Sequence, residues 1–158
     1  SHVATLINHA TPVARPATIA PERHLFLGMS DITEAIDGHI LPAEGHVQQF
    51  LTFARGWGER RERPMVVHCW AGVSRSTAGA FIAACALAPD VPEDQWAQQI
   101  RERSPTATPN ARLVAIADGL LGRGGRMNAA IEKIGRGVDV VDWDGVPFRL
   151  DLPLPRDA

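Results

Sequence analysis

Val66-Val67-His68-Cys69-Trp70-Ala71-Gly72-Val73-Ser74-Arg75-Ser76-Thr77 (VVHCWAGVSRST) sets a cysteine at the end of a β-prone run that begins at Met65, and an arginine at the start of an apolar helix. The residues between them include Gly72, which tolerates backbone angles that other residues disfavour. A helix N-terminus presents unpaired backbone N–H groups and a partial positive charge, so a loop bent around that end forms a cradle for an oxyanion. The amides of Trp70, Ala71, Gly72, Val73, Ser74 and Arg75 are its candidate donors, and the planar fork of Arg75 can grip two phosphate oxygens at once. Helix N-termini and cations favour thiolates, which makes Cys69 the candidate nucleophile.

Working outward, Ala78 to Ala88 (AGAFIAACALA) is apolar on every face, the mark of a helix buried in a core. A strand, a tight turn and a buried helix therefore follow one another at the centre of the chain. Upstream, Val3 to Ile7 and His24 to Met29 read as two further strands, separated by the proline-rich loop TPVARPATIAPE. Val47, Phe50, Leu51 and Ala54 form the i, i+3, i+4, i+7 stripe of a core-facing helix after Pro42, and GERRERP, Gly58 to Pro64, reads as a solvated connection. Downstream, Glu93 to Arg103 has acidic residues in its first turn and basic ones in its last, as the helix dipole favours. Asn110 is placed to cap a helix carrying Leu113, Ile116, Ala117 and Leu120 on one stripe. Met127, Ala130, Ile131 and Ile134 predict one more short helix, and Val138 to Trp143 with Val146 to Leu150 predict a hairpin across Asp144-Gly145.

These elements predict an α/β fold: a central mixed, mostly parallel sheet flanked by helices, with a C-terminal helix and β-hairpin extension. At 158 residues one hydrophobic core is expected, with residues 1–122 as the catalytic core and 123–158 as an extension packed on it. The net charge of −2 gives no footprint for nucleic acid or a membrane surface. No apolar run reaches a membrane span and no secretory signal opens the chain, so a cytoplasmic protein is expected. Cys69 and Cys85 are expected as reduced thiols, and the six histidines lack metal-ligand spacing, so no metal is expected.

His68, Cys69, Ala71, Gly72, Ser74, Arg75 and Ser76 fall at the positions of His-Cys-x-Ala-Gly-x-Ser-Arg-Ser. The segment thus resembles the signature of the cysteine-dependent protein phosphatases, His-Cys-x5-Arg-Ser/Thr, in its dual-specificity form. A second echo lies in RERSPTATPN, Arg101 to Asn110, similar to the family's Arg-Pro-x-x-x-Pro-Asn stretch, with Ser104 intervening before Pro105. The resemblance runs from about Val3 to Leu121, weakest before His24. Upstream of Val3 the family usually has a further strand and helix, so the chain is either trimmed or reduced at its start.

The resemblance implies a phosphomonoester hydrolase without metal or organic cofactor, working through a cysteinyl-phosphate. Cys69 would be the nucleophile and Arg75 the phosphate clamp, with His68 bracing the loop, Ser76 hydrogen-bonding the sulfur and Asn110 lending support. It also implies a general acid on a loop that follows a strand upstream of the cysteine. Asp31 follows the strand HLFLGM directly and is preferred; Asp37, beside Gly38, is second and Glu34 third.

Cys85 reads as a core residue of the buried helix, and Trp57 and Trp96 as core or rim. Trp70 serves either as a pocket-rim contact or as packing for the C-terminal segment, and Trp143 either covers the site or closes the fold. WAGVS adds no charge to the cradle beyond the arginine, which argues against a polyphosphorylated inositide. The expected partner is a phosphorylated protein, through phosphotyrosine or with dual specificity, or a small phosphomonoester; the sequence leaves the oligomeric state open. Two other readings stand beside the hydrolase: a catalytically inactive phosphate-binding module and a sulfurtransferase-like thiol enzyme.

Overall fold

Polar loops and prolines cut the chain into short apolar segments, and these pair as a three-stranded sheet. The computed structural model describes residues 1–141 and 147–153. Strands β1 (His2–Ile7), β2 (His24–Gly28) and β3 (Met65–His68) lie in the order β2-β1-β3. Both pairings are parallel, with Val3 opposite His24 and Thr5 opposite His68. Among the described residues the sheet is wholly parallel, simpler than the mixed sheet expected. Residues 8–23, with Pro12, Pro16 and a short 3-10 turn at Pro21–Arg23, return the chain from β1 to β2.

Five helices accompany the sheet: α1 (Glu44–Gly58), α2 (Arg75–Leu87), α3 (Glu93–Arg103), α4 (Ala111–Leu120) and α5 (Arg126–Ile134). One sheet face presents Ala4, Leu6, Leu25, Leu27, Met65 and Val67 to the core. Against it lie Val47, Phe50, Leu51 and Ala54 of α1, the predicted stripe, and the buried Ala78, Phe81, Ile82, Ala83, Ala84 and Cys85 of α2. The small residues of α2 allow close approach to the strands. A Cβ built on Gly79 would meet Val67 Cγ1 at 2.9 Å and Leu6 Cδ2 at 3.4 Å. Burial raises the Cys85 thiol to about 12, with the Glu93 carboxylate adding to the effect, so it stays protonated as a core residue.

Buried Glu93 ties the helical layer together through ion pairs to Arg123 at 3.3 Å and Arg126 at 3.2 Å. Buried Asp118 accepts from the amides of Gly125 at 2.6 Å and Met127 at 2.8 Å, satisfying the N-terminus of α5. Beyond α5 the chain stays on the body of the protein: Val138 N–H donates to Pro105 O at 3.0 Å, and Phe148, Leu150 and Leu152 pack against the core. The described residues of the predicted hairpin, 138–141 and 147–150, form no strand, and its turn at Asp144-Gly145, with Trp143, lies outside the described residues.

Two outcomes follow from this packing. Gly79→Val forces two extra methyl groups and a branch point between α2 and the strands, and should lower unfolding free energy by about 2–3 kcal/mol, read from denaturant melts. His2, His24 and His46 all have their pKa lowered from 6.5, mainly by burial, and His46 Nδ1 also accepts the Ala43 amide at the start of α1. The unfolded chain therefore binds more protons just below pH 6.5, so stability is held above that pH and lost as it falls. A melting temperature unchanged between pH 7.5 and 5.5 would contradict this.

Candidate active site

In a parallel sheet every strand ends on the same edge, and ligands bind at that edge. Here the edge gathers Asn8 after β1, Met29 to Asp31 after β2, and His68-Cys69 at the end of β3. Cys69 is buried, and residues 70–74 carry the chain around to α2, with Gly72 at φ +72°, a left-handed conformation that a side chain would strain.

Two of the loop's carbonyls are bonded to neighbouring chain. Val73 O accepts from Thr108 N–H at 2.8 Å and from the Thr77 hydroxyl at 2.6 Å, and Ser74 O accepts from Ala78 N–H at 2.9 Å and Asn110 N–H at 3.3 Å. The amides of Trp70 to Arg75 donate to no acceptor among the described residues. Residues 70–74 are exposed or half-buried, and with the N-terminus of α2 they leave six backbone N–H groups in succession free to bind a ligand oxygen.

Arg75 is 5% exposed, and its guanidinium is held from behind: one terminal N–H group donates to Asn8 Oδ1 at 2.9 Å and to Met29 O at 2.7 Å. Its buried Nε makes no hydrogen bond and lies 3.9 Å from Asp31 Oδ2. Asp31 Oδ1 accepts from the Ser74 hydroxyl at 2.6 Å and from Asn110 Nδ2 at 2.9 Å, so the carboxylate is docked on the cradle's rim. Asp37 and Glu34 are exposed and have no partner among the described residues. Cys69 Sγ and Ser76 Oγ are 3.2 Å apart. His68 Nδ1 lies 3.3 Å from the carbonyl oxygen of its neighbour Cys69, and its Nε2 lies 2.7 Å from Thr5 Oγ1.

The geometry thus brings Cys69, Arg75, Asp31, Ser76, His68 and Asn110 to one edge. Asn110 does more than cap α4 by accepting from Leu113 N–H at 3.1 Å; its amide group also holds Asp31. Trp70 is 67% exposed, so it stands at the rim rather than as packing. Trp96 is buried in the core, and Trp57 donates to Arg63 O at 2.8 Å with the Arg61 guanidinium over its ring. Asn8 and Thr5 were missed by sequence reading. The one available signal was a polar residue, Thr5, inside the apolar run Val3 to Ile7, and another, Asn8, directly after it. No group of three or more His, Cys, Asp or Glu side chains clusters to hold a metal among the described residues, and none of their helices is long and apolar enough to cross a membrane.

No family model and no curated protein matches the sequence. Among solved structures the chain is similar to human DUSP28, a dual-specificity phosphatase, with a TM-score of 0.57 and 16% sequence identity over 77% of this chain and 80% of that one. At this identity the likeness is one of architecture: the chain has the α/β fold of the dual-specificity phosphatases.

Proposed function

We propose that this protein is a phosphomonoester hydrolase acting through a cysteinyl-phosphate on Cys69. One observation carries the reading: a buried cysteine at the base of six unpartnered amides, with a buried arginine and a docked carboxylate beside it. Cys69 Sγ attacks phosphorus while the bond to the leaving oxygen breaks and Asp31 protonates that oxygen. Water, deprotonated by the same carboxylate, then attacks the phosphocysteine, releasing inorganic phosphate and the thiolate. Asp31 Oδ2, which accepts no hydrogen bond, is the atom that carries the proton, because Oδ1 already serves Ser74 and Asn110. The loop amides and Arg75 offset the charge on the equatorial oxygens, commonly the largest catalytic term, so the reaction needs neither metal nor organic cofactor. Ser76 supports the second step by hydrogen-bonding the departing sulfur.

The preferred substrate is a phosphorylated protein, through phosphotyrosine or with dual specificity. Trp70 supports this choice by offering an exposed aromatic surface beside the nucleophile. The protein is expected to act in the cytoplasm.

Hydrolysis of p-nitrophenyl phosphate without added metal tests the reaction class. Activity should be present in the wild type, absent in Cys69→Ser and blocked by vanadate. A folded wild type that binds phosphopeptide without turnover would replace the hydrolase by a phosphate-binding module, and sulfur transfer from thiosulfate to cyanide would replace it by a thiol transferase. The acid is tested separately: Asp31→Asn should lower kcat by about 10²- to 10³-fold and remove the basic limb of the pH profile. Asp37→Asn should leave both unchanged, and the opposite pattern would reassign the role.

A further inference from the structure

Three polar side chains, one from each strand, line up on the sheet face opposite the helices. Thr5 is fully buried, and its hydroxyl lies 2.9 Å from His24 Nε2 and 2.7 Å from His68 Nε2. A threonine hydroxyl has one proton to donate and two lone pairs, so it can donate to only one of the two rings. The other end of His68 decides which. Its Nδ1 faces the carbonyl oxygen of Cys69, an acceptor, so Nδ1 carries the proton and the neutral ring has a bare Nε2. That nitrogen accepts the Thr5 proton, and Thr5 Oγ1 accepts in turn from His24 Nε2–H.

We infer that Thr5 and His24 are positioning residues, which fix the tautomer and ring plane of His68 and through it the peptide that carries the nucleophile. The chain of bonds has one direction, from His24 through Thr5 and His68 to Cys69 O. If both rings donated to Thr5, the buried hydroxyl hydrogen would be left without an acceptor, so the arrangement requires one ring to accept. His24 is held toward its neutral form, because burial, the neighbouring His68 and Arg15 all lower its pKa.

The kinetic consequence rests on the hydrolase reading, whereas the tautomers do not. The deciding measurement is the ¹⁵N spectrum of the histidine rings in the full chain at pH 8. Wild type should show His68 protonated at Nδ1 alone and His24 at Nε2. Thr5→Val, nearly the same shape, should leave His68 averaging between tautomers, and Thr5→Ser should restore the single form. Should Thr5→Val fail to fold, His24→Phe at a half-buried position gives the same readout, with His24→Gln as the variant that restores a donor. With p-nitrophenyl phosphate, Thr5→Val and His24→Phe should lower kcat by about tenfold with KM within about twofold, the serine and glutamine variants recovering. A wild-type His68 protonated at Nε2, or a spectrum unmoved by Thr5→Val, overturns the inference. Tautomers that respond as described in a protein that hydrolyses nothing uphold the inference and remove the phosphatase reading instead.

Discussion

The buried guanidinium of Arg75 is the constraint on which the remaining site geometry depends. A charge removed from water is tolerated only when paired and hydrogen-bonded. Asn8 Oδ1 and Met29 O accept from one terminal group at the ends of β1 and β2, and the Asp31 carboxylate pairs the charge at 3.9 Å from Nε, which itself has no hydrogen bond. Because Arg75 also opens α2, its pairing locks the helix N-terminus against the carboxyl edge of the sheet. The loop from Cys69 must then close within a fixed span, and it does so with Gly72 in the left-handed region and the Val73 and Ser74 carbonyls bonded to the amides of Thr108 and Asn110. The amides of residues 70–75 are left without acceptors by that closure. The shape of the loop is thus tied to how a buried arginine is accommodated.

Much of this was legible in the sequence, for reasons that differ by residue. The strands and helices announced themselves because their apolar spacing is local: the stripe Val47, Phe50, Leu51 and Ala54 faces the core as its period requires, and Glu93 to Arg103 begins and ends where its charges place it. The loop was legible because cysteine, glycine and arginine at that spacing serve one chemistry. The preference for Asp31 over Asp37 rested on strand-then-acid order and on a helix after Pro42 long enough to account for the wider spacing to Cys69. What separates them in space is a contact with Asn110, 79 residues away, and no local pattern encodes a partner at that distance. Asn8 was invisible for the same reason, since its role exists only once β1 lies beside β2 and α2 has docked. Thr5 reads as an ordinary β-branched strand residue until two histidines from neighbouring strands close on it. The hairpin expectation rested on an Asp-Gly turn signal, yet the described residues on either side are irregular, held by side chains such as Arg103, which reaches the Arg149 carbonyl, rather than by strand pairing.

Several residues carry stability and chemistry together. Asn110 caps α4, donates its backbone N–H to Ser74 O in the loop before α2 and grips Asp31, so the helix cannot shift without moving the carboxylate. Helix caps of this kind contribute about 1 kcal/mol, which would be reason enough for an asparagine here; the Asp31 contact needs its second amide group as well. Serine or aspartate could cap the helix but could not donate to a carboxylate in the same geometry while accepting from Leu113 N–H. The side chain is therefore specified by the two demands jointly.

The same logic separates the two thiols. Both are buried, and burial alone leaves a cysteine protonated and inert. For Cys85, burial and the carboxylates of Glu93 and Asp118 oppose a thiolate and outweigh the Arg123 guanidinium that favours one. Around Cys69 stand a hydroxyl at 3.2 Å, unpartnered amides in the loop that follows, and the Arg75 guanidinium at that loop's far end. The two sulfurs thus differ in the groups placed around them and not in their depth. The parallel sheet sets that difference, since β3 delivers Cys69 to the edge where α2 begins.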